Sequence, residues 1–86
     1  MDKIKVEEIL KHVEEACNVA GVSLPADAIF LRKVVDWGSI DNIIRHAKTR
    51  HGIIEFAGEQ FSAPRARLQL ESEINTRIKR LSYLLR

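Results

Sequence analysis

Apolar residues open the chain at helical spacing. Val6, Ile9, Leu10, Val13, Ala16, Cys17 and Ala20 fall three and four positions apart, one stripe of an amphipathic helix over Lys3 to Ala20. Gly21 is a suitable stop. Val22–Leu24 reads as a short extended bridge, and Pro25 suits the first turn of the next helix. That second helix is "ADAIFLRKVVDW", with Ala28, Leu31, Val34 and Val35 inward and Phe30 and Trp37 flanking. Gly38 ends it, and Ser39 or Asp41 can cap the third.

The third helix has the cleanest pattern: Ile40, Ile43, Ile44 and Ala47 face the core, and Gly52 closes it. The period then changes from helical to two-fold. In "IIEFAGEQFS", Ile54, Phe56 and Phe61 take one face, and Glu55 and Gln60 the other. With Ala57-Gly58 as a tight turn, Ile54 lies opposite Phe61; Ala-Gly is a weaker turn signal than Asn-Gly, so a longer loop is the alternative. Pro64 opens a last helix to the chain end, with Leu70, Ile74, Ile78, Leu81 and Leu85 along one side. The fold class expected is mainly α with a small β-hairpin and a long C-terminal helix.

Composition narrows the class. The 86 residues suit one small domain, and 45% apolar with 30% charged residues is globular. Cys17 is alone, so no internal disulfide is possible, and a reducing, cytoplasmic setting is expected. No apolar run reaches membrane-spanning length, and "MDKIKVEEIL" lacks the apolar core of a signal peptide. Net charge is +2 but uneven. Residues 1–24 and 53–63 are net acidic, whereas residues 25–52 and 64–86 are net basic. An acidic partner would meet the basic parts.

The outward side of the third helix carries the candidate chemistry. Arg45 suits a bidentate pair with guanine, and Asn42 one with adenine. Ser39, Lys48, Thr49 and Arg50 suit phosphate oxygens, and His46 and His51 suit either role. The alternative is an ordinary solvated helix face. On the last helix, Leu70, Ile74, Ile78, Leu81, Leu84 and Leu85 form a stripe wider than one small domain needs, which predicts a homodimer interface. Its alternative is a helix folded back onto the first to complete a single core. The basic residues Arg77, Lys79, Arg80 and Arg86 are further candidates for phosphate, and Trp37 is expected as a core or inter-helix plug, not a base-stacking platform.

Helix, short strand, helix, turn, helix, hairpin and long helix, with "GSIDNIIRHAKTRHGIIEFAGEQF" in the recognition and wing positions, resembles a winged helix-turn-helix domain. The "GS…I…RH.K" portion is also similar to the DNA-binding heads of plasmid-encoded KfrA-type proteins. The resemblance implies a domain over residues 1–63 and a dimerisation helix over 64–86 as part of the same small unit. It implies that the third helix enters the major groove of double-stranded DNA, as in a transcription, replication or partition regulator of plasmid or phage type. The wing "EFAGEQ" departs from that pattern, since its two glutamates would be repelled by phosphates. This leaves the hairpin as a structural cover or a protein contact.

No enzymatic role is expected. His12 and Cys17, like His46 and His51, are five apart, about 500° of helical rotation, so neither pair shares a helix face. There is no Cys-x-x-Cys, His-Glu-x-x-His or glycine-rich phosphate loop, so no metal, cofactor or catalytic residue is assigned. The main rival to DNA binding is a protein-interaction module. A phage or plasmid inhibitor or assembly adaptor would dock a partner through the acidic hairpin and the apolar last helix. A helix–hairpin–helix phage connector would share the outline of residues 39–86. RNA binding is disfavoured, because no exposed aromatic pair offers a stacking surface.

Overall fold

The computed structural model describes residues 2–85. Four helices surround one core, and a three-stranded antiparallel sheet closes it: α1 (Lys3–Ala20), α2 (Ala26–Trp37), α3 (Ile40–His46), β1 (Lys48–Arg50), β2 (Ile53–Phe56), β3 (Glu59–Ser62), a 3-10 turn (Ala63–Arg65) and α4 (Ala66–Leu84). The fold is mainly helical, with a small sheet and a long C-terminal helix.

Local signals set the ends of α1. The Asp2 carboxylate accepts the Lys5 N–H at 3.2 Å, satisfying one of the open donors of the first turn. Gly21 takes the left-handed conformation (φ +68°), and Val22 N–H then reaches back to Cys17 O at 3.0 Å. Residues Val22–Leu24 form no strand. The inner face of α2 is as its pattern predicts, with Ala28, Leu31, Val34 and Val35 buried. Phe30 joins them and meets Phe56 of β2 edge to face, ring centroids 5.6 Å apart. Trp37 is 42% exposed and lies outside the core; of the two places expected for it, it takes the one between helices, against His46 of α3.

The third helix is shorter than its periodicity suggests. It stops at His46, and Lys48, Thr49 and Arg50 leave the helix to form β1. The cause lies in the core. After Ile43 and Ala47, the next inward helical positions are Arg50 and His51, which offer nothing to bury. Extended instead, Lys48–Arg50 pairs with Ile53–Glu55. His51 and Gly52 both have positive φ (53° and 73°), as a two-residue hairpin turn requires.

Ala57 and Gly58 (53° and 77°) make the second such turn, and Ile54 lies opposite Phe61 as expected. The expected hairpin is therefore the second half of a meander ordered β1-β2-β3. Its inner face buries Ile54, Phe56 and Phe61. The far edge of β3 is closed by α4, where Gln69 Oε1 accepts the Ser62 N–H at 2.9 Å. β1 is the other edge of the sheet.

α4 does not stand apart as a dimerisation element. It packs on α1, α2, α3 and β3. Leu70, Ile74 and Leu81 are fully buried within the single chain, and Ile78 packs against the same cluster. Of the six residues expected at a dimer interface, these four are used by the chain's own core, and only Leu84 and Leu85 remain exposed. Segments 1–63 and 64–86 therefore share one core, and the helix folds back.

Candidate nucleic-acid interface

Ser39 sits at the head of α3, where its Oγ accepts the Asn42 N–H at 3.1 Å. It is a helix cap, with its oxygen already engaged. Asn42 faces out of the helix, but its Nδ2 donates to the Trp37 carbonyl at 2.8 Å. His46, in the last turn, donates from Nδ1 to the Asn42 carbonyl at 3.0 Å. Its ring stacks on Trp37 with centroids 5.5 Å apart and planes 27° from parallel. These contacts tie α3 back to the end of α2. Three residues expected to face DNA thus have local structural work, and only Arg45 projects from α3 unengaged.

Lys48, Thr49 and Arg50 are exposed on β1. Alternation along the strand sends Lys48 and Arg50 to the outer face of the sheet, away from Ile54 and Phe61. Thr49 lies in register with Ile54, on the other face. The structure therefore splits the expected site: Lys48 and Arg50 share a sheet face, Arg45 lies in the last turn of α3 just before it, and Ser39, Asn42 and His46 serve the α2–α3 junction.

The arginines divide in an informative way. Arg32 is held by Glu14, Arg67 by Asp41, Arg77 by Glu59 and Glu73, and Arg80 by Asp27. The hydrogen bonding that Arg32 donates to the Glu14 carboxylate raises the Arg32 pKa above its ordinary value, against a smaller opposing effect of desolvation. Among the described residues, Arg45, Arg50 and Arg65 have no such partner. All three lie between the start of α3 and the start of α4. The 3-10 turn carrying Arg65 is held beside the β1–β2 turn by Ala63 N–H donating to Gly52 O at 2.8 Å.

Of the two hairpin glutamates, Glu59 has a structural explanation. Glu59 receives both of its short contacts from Arg77, at 2.7 and 2.6 Å. Arg77 also bonds Glu73 at 3.1 Å and lies 3.9 Å above the Phe30 ring, with its side chain only 11% exposed. Arg77, expected on phosphate, is therefore enclosed by carboxylates and an aromatic face. Arg80 is paired with Asp27 at 3.5 Å, Lys79 is exposed, and Arg86 lies outside the described residues. Glu55 lies in register between Lys48 and Gln60 on the outer sheet face.

Pattern reading missed Ile53, Glu55, Gln60 and His51 as neighbours of Lys48 and Arg50. These six line a shallow depression of about 350 Å³ on the outer sheet face. The signal available in the chain was Gly52, which suits a positive-φ turn position as well as a helix end. Among the described residues, no group of three or more His, Cys, Asp or Glu side chains is placed to hold a metal ion. No described helix is long and apolar enough to cross a membrane. The chain matches no family model, no curated protein and no solved structure.

Proposed function

We propose that this protein binds double-stranded DNA through the surface that runs from the end of α3 across β1 to the 3-10 turn. The observation that carries the proposal is the partition of its arginines. Among the described residues, Arg32, Arg67, Arg77 and Arg80 are neutralised by carboxylates, whereas Arg45, Arg50 and Arg65 are left without partners, with Lys48 exposed between the first two. Unpaired cations on one surface release condensed counterions when they meet phosphates, and this drives DNA binding. The role is that of a small transcription, replication or partition regulator, in a variant of the winged helix-turn-helix arrangement with a two-turn third helix. Its homodimer, in this proposal, is confined to the last turn of α4 around Leu84 and Leu85.

Fluorescence anisotropy of a labelled duplex across a salt series tests the proposal. Wild type binds tightly at low salt and weakens steeply as salt rises. Arg45→Ala and Arg65→Ala each weaken binding and reduce the salt slope by about one. Absence of duplex binding by wild type at low salt overturns the proposal.

The second reading, a protein-docking module, is favoured by Leu68 and Leu84, both largely exposed on α4. The acidic hairpin gives it little support, because Glu59 is engaged by Arg77 within the fold. Retention on a heparin column at moderate salt favours DNA binding, and flow-through favours the module.

A further inference from the structure

The outer face of the meander holds an unusual assortment. Lys48, Glu55 and Gln60 form one cross-strand row; Arg50, Ile53 and Ser62 form the next. Lys48, Arg50, Ile53, Glu55 and Gln60 are all exposed. Rows on such a sheet are about 6.8 Å apart along the strand, and neighbouring strands about 4.8 Å apart. The side chains therefore stand as a compact array on a rigid support.

Each chemistry that distinguishes base edges in the major groove is represented there. Arginine or lysine pairs with guanine O6 and N7, glutamine with adenine N6 and N7, and glutamate accepts from cytosine N4. An aliphatic group meets the thymine methyl. The third helix offers far less. It has two turns, the Asn42 amide is held by Trp37, and His46 is bonded and stacked. The sheet is also shaped for entry. β1 is an edge strand, so β1 and β2 present a two-stranded ribbon, which the roughly 12 Å major groove admits. β3 is backed by α4 and carries Gln60 on the flank of that ribbon.

We infer that base recognition belongs to this sheet face and not to α3. The β1–β2 ribbon enters the major groove, Lys48, Arg50, Glu55 and Gln60 read base edges, and Ile53 meets a thymine methyl. Arg45 and Arg65 grip the flanking phosphates. The inference rests on the DNA-binding reading above and names which residues make it selective. It also accounts for Glu55. A carboxylate near the backbone is repelled, but on a groove floor it is an acceptor for cytosine.

The test is selection of bound sequences from a random duplex pool by wild type, Glu55→Gln, Gln60→Ala and Arg45→Ala. Circular dichroism checks that each variant is folded. Wild type should enrich a short motif. Glu55→Gln and Gln60→Ala should each lose preference at one base pair by about fivefold or more. Glu55→Gln should also bind bulk duplex at least as tightly as wild type, because a repulsive charge is gone. Arg45→Ala should weaken binding to every sequence and keep the motif. An unchanged motif in both sheet variants overturns the inference, as does duplex binding by wild type with no motif enriched; in both cases DNA binding itself stands. Failure of wild type to bind any duplex at low salt overturns both.

Discussion

Arg77 of α4 donates to both carboxylate oxygens of Glu59 at the start of β3, at 2.7 and 2.6 Å. The same guanidinium bonds Glu73 on its own helix and covers the Phe30 ring. One side chain thus joins the hairpin, α2 and α4. Removing it would leave Glu59 and Glu73 near one another without compensation, while Asp27 keeps Arg80. Arg77→Met, which keeps the apolar stem, should lower stability by about 3 kcal/mol. Glu59→Gln should cost less, because Arg77 keeps Glu73. Urea unfolding followed by circular dichroism measures both.

Ala57 occupies a left-handed conformation (φ +53°) in the β2–β3 turn. A Cβ is strained there, and Asn-Gly is the preferred sequence for this turn. Ala57→Asn should raise stability by about 0.5–1 kcal/mol, whereas the β-branched Ala57→Val should lower it by more than that. Thermal melts of the two variants give opposite shifts in Tm.

Ser39 separates a capping role from a phosphate contact. Its Oγ accepts the Asn42 N–H, and α3 is too short to tolerate loss of a cap easily. Ser39→Ala should cost about 1 kcal/mol, and Ser39→Asp should retain most of the wild-type stability. The aspartate adds a negative charge near the proposed interface, so a phosphate contact would make it weaken duplex binding strongly. A capping role leaves binding within about twofold of wild type (less than 0.5 kcal/mol). Denaturation and anisotropy on the same variants distinguish the roles.

Leu81 and Leu84 lie three apart on α4 but have opposite fates: Leu81 is fully buried and Leu84 is 68% exposed. Leu81→Ala should destabilise the single chain by about 2–5 kcal/mol, at every protein concentration. Leu84→Ser should change stability by about 0.5 kcal/mol or less. Its effect should appear only in sedimentation, if the last turn of α4 pairs two copies.

Much of the fold follows from local patterns that carry over into the structure, although Ala16 and Ala20 of the expected α1 stripe are exposed. The stripes of α1 and α2, the stops at Gly21 and Gly38, the cap at Ser39 and the pairing of Ile54 with Phe61 depend on periodicities and on residues acting on their neighbours. Such features are set within a few positions along the chain, so the sequence determines them by itself. The conformation of Lys48–Arg50 is different. Locally it continues a helix; only the presence of β2, reached through the His51-Gly52 turn, makes the extended state better. That one tertiary choice moves two expected phosphate contacts from a helix to a sheet face and brings them beside Glu55 and Gln60.

The same division explains the charges and the last helix. Sequence shows how many cations lie in each segment, and the i, i+4 spacing of Glu73 and Arg77 that the structure keeps as an ion pair, but not the partners that lie far along the chain. Arg77 and Arg45 look alike in the chain, and only packing brings Glu59, eighteen residues away, onto Arg77 and leaves Arg45 free. An apolar stripe on a helix likewise states that something must cover it, not what. Here α1, α2, α3 and β3 cover Leu70, Ile74 and Leu81 within one chain. Hydrophobic burial is non-directional, so the identity of the covering surface is decided by the tertiary structure.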